Sequence, residues 1–195
     1  MFRIALCLLS VLMCAEVAMG QSAPAEKTGV LLVHYGTRND ASRKATIDAL
    51  DSMAMARFAD CEVVEAYAAG SVIKSLGKRG IKKLTIGEGL DKLIADGCQN
   101  AVVQTTMLLD GVMNDIVKNE VNARKSKFKK IVVARPLLYS VDDCRNMLDQ
   151  IAAHINAKSD EQVVIVGHGS DSPANAIYSQ LDCLAKFEGR PNWHV

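Results

Sequence analysis

Gly167-His168-Gly169-Ser170 is the stretch of this chain whose residue types and spacing can do chemistry. An imidazole between two glycines sits close to the backbone, with room left for a bulky partner. Three jobs suit it. Neutral imidazole ligates borderline divalent ions. An unperturbed pKa of about 6.5 suits proton transfer at neutral pH. A base beside Ser170 and Ser172 could also activate a hydroxyl. The last has least support, because no G-x-S-x-G elbow occurs. G-x-G-x-x-G and Walker loops are also missing from the sequence, so nucleotide binding lacks a motif. The bland alternative for His168 is a polar loop residue.

The elements around the motif must hold it in place. Val163, Val164, Ile165 and Val166 are four consecutive β-branched residues, apolar on both faces of any strand they form. Such a strand is expected in the middle of a parallel sheet, covered by helices on both sides. Ser172-Pro173 reads as an N-cap and a first-turn proline, so a helix should start there. His168 would then stand at the carboxyl end of a central strand, where open α/β sheets place their ligands.

The rest of the chain alternates in the same way. Apolar runs predict strands over 29–34, 61–67, 100–107 and 131–134. A helix is expected over 41–58, with Ile47, Leu50, Met53 and Ala54 as its inner face, and a short one over 68–76 with Val72, Ile73 and Leu76 inward. Thr85 and Glu88 form a candidate capping box for a helix ending at Asp96, before Gly97. Further helices are expected over 112–124, over 141–155 capped by Ser140 with Cys144, Leu148, Ile151 and Ile155 inward, and over 173–186. The fold class is therefore α/β: a parallel sheet flanked by helices, with right-handed crossovers.

Composition narrows the function classes. With 195 residues, 49% of them hydrophobic, the chain can bury one good core, or one domain and part of another. A net charge of +1 and an aromatic content of 5% leave no footprint for nucleic acid. Met1-Phe2-Arg3, an apolar run over 4–13 and Ala18-Met19-Gly20 before Gln21 read as a secretory signal peptide over 1–20, which implies a periplasmic protein. Cys61, Cys98, Cys144 and Cys183 remain after its removal; they make no C-x-x-C pair and read as small buried hydrophobes, although an exported protein could pair them.

The first strand and its turn, LLVHYGT over 31–37, echo VIVGHGS over 164–170: three aliphatics, two variable positions, a glycine and a hydroxyl residue, then a helix. The echo suggests the opening βα units of two related halves. On that reading residues 21–160 are a first α/β domain, and 161–195 are the start of a second, incomplete one. The lone second unit would have to dock on the first sheet or on another molecule, and a homo-oligomer is expected.

These residues carry a resemblance. GVLLVHYGT (29–37), EAYAAGSVIKSL (65–76), AVVQTTMLLDG (101–111), RPLLYS (135–140) and VVIVGHGSDSPANAIYSQLD (163–182) resemble, in order, the anaerobic sirohydrochlorin cobaltochelatases, class II chelatases related to ferrochelatase. The resemblance implies two similar α/β domains with a cleft between them, and ATP-independent insertion of Co²⁺, or of Fe²⁺, into a carboxylate-rich tetrapyrrole. It implies that His168 is the catalytic and metal-binding residue, taking the incoming ion and helping to remove pyrrole protons. The family's further glutamate and second histidine have no positions in this sequence. Tyr35, Gly36 and Thr37, with Gly167 and Gly169, are the expected contacts to the macrocycle. Arg38, Lys74 and Lys78 are candidate partners for its carboxylates, and His34 reads as structural rather than as a second ligand. No cofactor beyond the substrate metal is expected. Haem is not, because no histidine lies between His34 and His154. The alternative function is a non-catalytic metal or tetrapyrrole carrier. With one wall of the cleft, residues 21–195 alone are expected to bind tetrapyrrole and to insert cobalt slowly.

Overall fold

The computed structural model describes residues 26–155, 157–158 and 160–195. The expected signal peptide lies outside the described residues. In chain order the elements are β1 (Thr28–His34), α1 (Asp40–Ala45), α2 (Ile47–Arg57), β2 (Glu62–Tyr67), α3 (Gly70–Gly77), α4 (Ile86–Ala95), β3 (Asn100–Thr105), α5 (Val112–Arg124), β4 (Lys130–Val133), α6 (Val141–His154), β5 (Val163–Val164), α7 (Ala176–Phe187) and β6 (Trp193–His194). Strands β1 to β4 form one parallel sheet in the order β2-β1-β3-β4. This is the expected α/β class.

Alternation along the strands sends successive side chains to opposite faces. Leu31 and Val33 of β1 and Val64 and Ala66 of β2 pack under α4 and α5 through Ile86, Leu90, Leu93, Val117 and Val121. The opposite face carries Leu32, His34, Glu65 and Tyr67. There Tyr67 joins Ile47 of α2 and Val72 and Leu76 of α3 in a smaller core. Helical cover on that side stops at β2 and β1, and Val102 of β3 and Val132 of β4 remain exposed. A separate core lies between α6 and α7, built on Cys144, Leu148, Leu181, Ala185 and Trp193.

Local capping follows the sequence closely. Thr85 and Glu88 make a reciprocal capping box on α4. Ser140 and Asp143 make another on α6, with the Asp143 N–H donating to Ser140 Oγ at 3.2 Å and the Ser140 N–H to Asp143 Oδ2 at 2.8 Å. The Ser140 hydroxyl, helped by backbone N–H groups, holds the Asp143 carboxyl below its ordinary value. The stabilisation is therefore present above the usual carboxylate range, near pH 4, and fades as pH falls through the lowered value. Ser140→Ala is expected to cost about 1 kcal/mol at pH 7. The difference between wild type and variant in urea melts should narrow at pH 2–3.

Four expectations are corrected. The strand over 163–166 is not central: only Val163 and Val164 pair, and their partner within the chain is β6, not the main sheet. Val164 is 67% and Val166 87% exposed, because no helix layer covers that face. The helix over 41–58 breaks at Thr46, whose hydroxyl donates to the Ser42 carbonyl, giving two helices. Its expected inner face is also rotated. Leu50 (46%) and Met53 (69%) are exposed, while Ile47 and Asp51 are buried, because Asp51 pairs with His34 beneath the helix. Cys98 and Cys144 are buried as expected, but Cys183 is exposed, and the four described cysteines are free thiols.

Candidate functional site

The order β2-β1-β3-β4 reverses direction between β1 and β3, and this is where open α/β sheets bind ligands, beyond the carboxyl ends of the strands. A cleft of about 740 Å³ opens there. Tyr35 comes from the end of β1, and Met107 and Leu108 from the end of β3. The facing wall is built from α6 (Met147, Ile151), α7 (Tyr178, Leu181) and the loop from Ile165 to Asp171, with His168 in it. The lining is mostly apolar and contains three methionines, Met107, Met113 and Met147. Among the described residues that line it, Asp171 is the one acidic side chain, and no lysine or arginine takes part.

His168 is exposed on this wall, and no hydrogen bond to its ring is found among the described residues. The loop that presents it is tightly made. Gly169 has φ +77°, a conformation glycine adopts without strain. Its N–H donates to Tyr178 Oη at 3.3 Å, the Ser170 N–H donates to Asn175 Oδ1 at 2.9 Å, and the Ser170 and Ser172 hydroxyls are 2.9 Å apart. Gly167 makes room for Tyr178 rather than for a ligand, since a Cβ there would stand 2.0 Å from Tyr178 Cε1. Gly167→Ala should push the half-buried ring aside and shift the loop. We expect roughly a tenfold or greater loss of metal-dependent function, with a stability cost of only about 1 kcal/mol. In a Tyr178→Ala background the added methyl should cost less than about 0.5 kcal/mol in urea melts.

The two echoing turns match in detail. Gly36 and Gly169 both have positive φ, +98° and +77°. The Asn39 N–H donates to Thr37 Oγ1, and the Ser172 N–H donates to Ser170 Oγ, each at 3.2 Å. The equivalent residues Tyr35 and His168 line the same cleft. Of the expected macrocycle contacts, Tyr35, Gly167 and Gly169 line it with His168. Gly36 and Thr37 do not; they shape the turn, Gly36 against the Tyr67 ring and Thr37 as the acceptor for Asn39. Arg38, Lys74 and Lys78 are not in the lining either. His34 is buried behind Tyr35 and makes no part of the cleft lining. The methionine wall was not anticipated, although Met107 and Leu108 stand at a strand's carboxyl end by the same rule that picked out His168.

Fold and cleft together define an α/β protein with one imidazole in a mostly apolar cleft at the sheet's switch point. The family described as cobalt chelatase (CbiK) matches residues 28–195, and the chain belongs to that family. It is 28% identical over 167 residues to a sirohydrochlorin cobaltochelatase of Salmonella typhimurium, covering 85% of this chain and 63% of the relative. It is also 28% identical over 170 residues to the sirohydrochlorin cobaltochelatase CbiKC of Nitratidesulfovibrio vulgaris, covering 85% of this chain and 60% of the relative. The chain thus spans about three fifths of the length of these curated relatives.

Proposed function

We propose that the polypeptide supplies the metal-delivering wall of a sirohydrochlorin cobaltochelatase, inserting Co²⁺ into the tetrapyrrole without ATP. The observation that carries this is His168, held on a rigid loop in an apolar cleft at the sheet's switch point. An imidazole nitrogen suits Co²⁺ as a ligand, and the same group can accept a proton near neutral pH. Asp171 adds an oxygen donor to the wall. The methionine and leucine side chains offer polarisable apolar surface to the face of a macrocycle. The substrate's charged periphery would lie toward the mouth, away from this lining. We also propose export through the leader over 1–20 and association into homo-oligomers.

The test is Co²⁺ insertion into sirohydrochlorin, followed by absorbance, with tetrapyrrole binding measured separately. Insertion above the uncatalysed rate that disappears in His168→Ala supports the reading. Tetrapyrrole binding with no insertion that depends on His168 selects the carrier reading instead.

A further inference from the structure

On the sheet face away from α4 and α5, polar groups collect where a core would be expected. His34 is 1% and Asp51 8% exposed. His34 Nε2 is 2.8 Å from Asp51 Oδ1, and Nδ1 is 3.0 Å from Thr106 Oγ1. Glu65, next but one along β2 from Tyr67, completes the group. One donor atom each from His34, Asp51 and Glu65 lie within 4.8 Å of one another. Lys83 Nζ donates to both Glu65 oxygens, at 2.8 and 2.6 Å. The Tyr67 hydroxyl is buried beside them, with no hydrogen-bond partner among the described residues. Burial first, and then the negative charge of Glu65, push the phenol above its ordinary value.

This is an expensive arrangement to keep as a mere packing feature. Two carboxylates are taken partly or wholly out of water with a single ammonium between them, and buried charge is costly unless matched. Asp51 also turns α2 so that Leu50 and Met53 face solvent. When the Thr106 hydroxyl donates to the Val33 carbonyl, 3.4 Å away, Nδ1 must carry the imidazole proton and donate to Thr106. Nε2 then points its lone pair at a carboxylate oxygen. Two acceptors 2.8 Å apart need a proton or a metal cation between them, so the pair holds either an imidazolium or an ion. Fixing a ligating imidazole through its other ring nitrogen is also how metal sites orient their histidines.

We propose that His34, Asp51 and Glu65 form a buried site for one borderline divalent cation of the Zn²⁺ or Co²⁺ class, separate from the cleft, with the Lys83 ammonium as its competitor for Glu65. One imidazole nitrogen and two carboxylates are a donor set such ions accept. Donors around a tetrahedral ion at about 2.1 Å stand roughly 3.4 Å apart, so His34 Nε2 and Asp51 Oδ1, now 2.8 Å apart, must part slightly while Glu65, within 4.8 Å of them, moves in. Glu65 achieves this by releasing Lys83, whose partly exposed side chain can turn to solvent. The bound ion would tie β1, β2 and α2 together directly behind Tyr35. The proposal does not depend on the function assigned to the cleft.

The experiment uses purified full chain carrying His168→Ala, so that the cleft histidine is silent, titrated with Co²⁺ alone. Bound metal is counted by equilibrium dialysis and its coordination read from the visible absorption. One Co²⁺ per chain with a low-symmetry d–d spectrum is expected. Adding Glu65→Gln should weaken binding at least about tenfold. Adding Lys83→Ala removes no ligand but lifts the competition, and should tighten binding by roughly tenfold. The Lys83 variant keeps the test decisive if Glu65→Gln folds poorly by circular dichroism. No stoichiometric Co²⁺ in the His168→Ala chain, or weaker binding after Lys83→Ala, would overturn the proposal.

Discussion

Replacing His168 with alanine is expected to weaken Co²⁺ binding at the cleft by about 100-fold and to bring cobalt insertion down to background. The magnitude follows from the lining. Asp171 is the one acidic side chain among the described residues that line the cleft, and the leucine walls offer no replacement ligand for a divalent ion. Stability should hardly change. The ring is exposed, and no hydrogen bond to it is found among the described residues, so the thermal midpoint is expected to move by less than about 2 °C. His154→Ala and His194→Ala are the controls. Both side chains are exposed away from the cleft lining, His154 against the Gln150 carbonyl and His194 against Gln162. Insertion kinetics as a function of Co²⁺ concentration check the assignment. A loss in either control equal to that in His168→Ala would remove His168 from the site.

How much of this was legible in the sequence depends on the range of the forces involved. Elements set by local rules were readable. Helix α5 runs over the residues its periodicity marked, and the Thr85–Glu88 capping box and the Ser140 cap form, because the groups that satisfy the helix ends are three residues apart. Failures occur where a distant residue decides. Periodicity in α2 pointed Leu50 and Met53 inward, but Asp51 finds its partner in His34 at the end of β1, and that buried pair turns the helix the other way. Val163 to Val166 look like a central strand to any local rule. Whether such a run is covered depends on which strands and helices reach it; here β6 pairs with Val163 and Val164, and the core between α6 and α7 takes Val163 and Ile165 but leaves Val164 and Val166 exposed. β6 itself is too short to carry a period.

The site divides in the same manner. His168, marked in the sequence by its flanking glycines, lines the cleft. The glycines were assigned the wrong duty in part, since Gly167 accommodates the Tyr178 ring, and that contact spans residues with no sequence signature. The cleft's other wall comes from α6 and α7, which the sequence places in the chain but not in space. The internal echo aligns Tyr35 with His168, and both line one cleft, so the echo carries spatial information that neither turn holds alone.

Gly36→Ala is expected to destabilise the chain by about 2–4 kcal/mol. Two costs combine. The residue has φ +98°, where an L side chain is strained by roughly 1 kcal/mol or more. The new Cβ would also stand 2.4 Å from Tyr67 Cδ2, and the Tyr67 ring is 1% exposed, wedged between β1, α2 and α3, so it cannot swing aside. Overpacking of that kind costs about 1–3 kcal/mol. Gly80→Ala separates the two contributions. Gly80 has φ +78° but nothing within 4 Å of an added Cβ, so it should show the backbone strain alone, about 1 kcal/mol. Relief in Gly36→Ala can come only by displacing the turn toward the cleft, which would carry Tyr35 with it. Urea denaturation of the two variants gives the stability difference, and tetrapyrrole affinity reports the movement of Tyr35. Equal destabilisation by the two substitutions would show that the Tyr67 contact relaxes freely and that the turn beneath the cleft is less rigid than its packing implies.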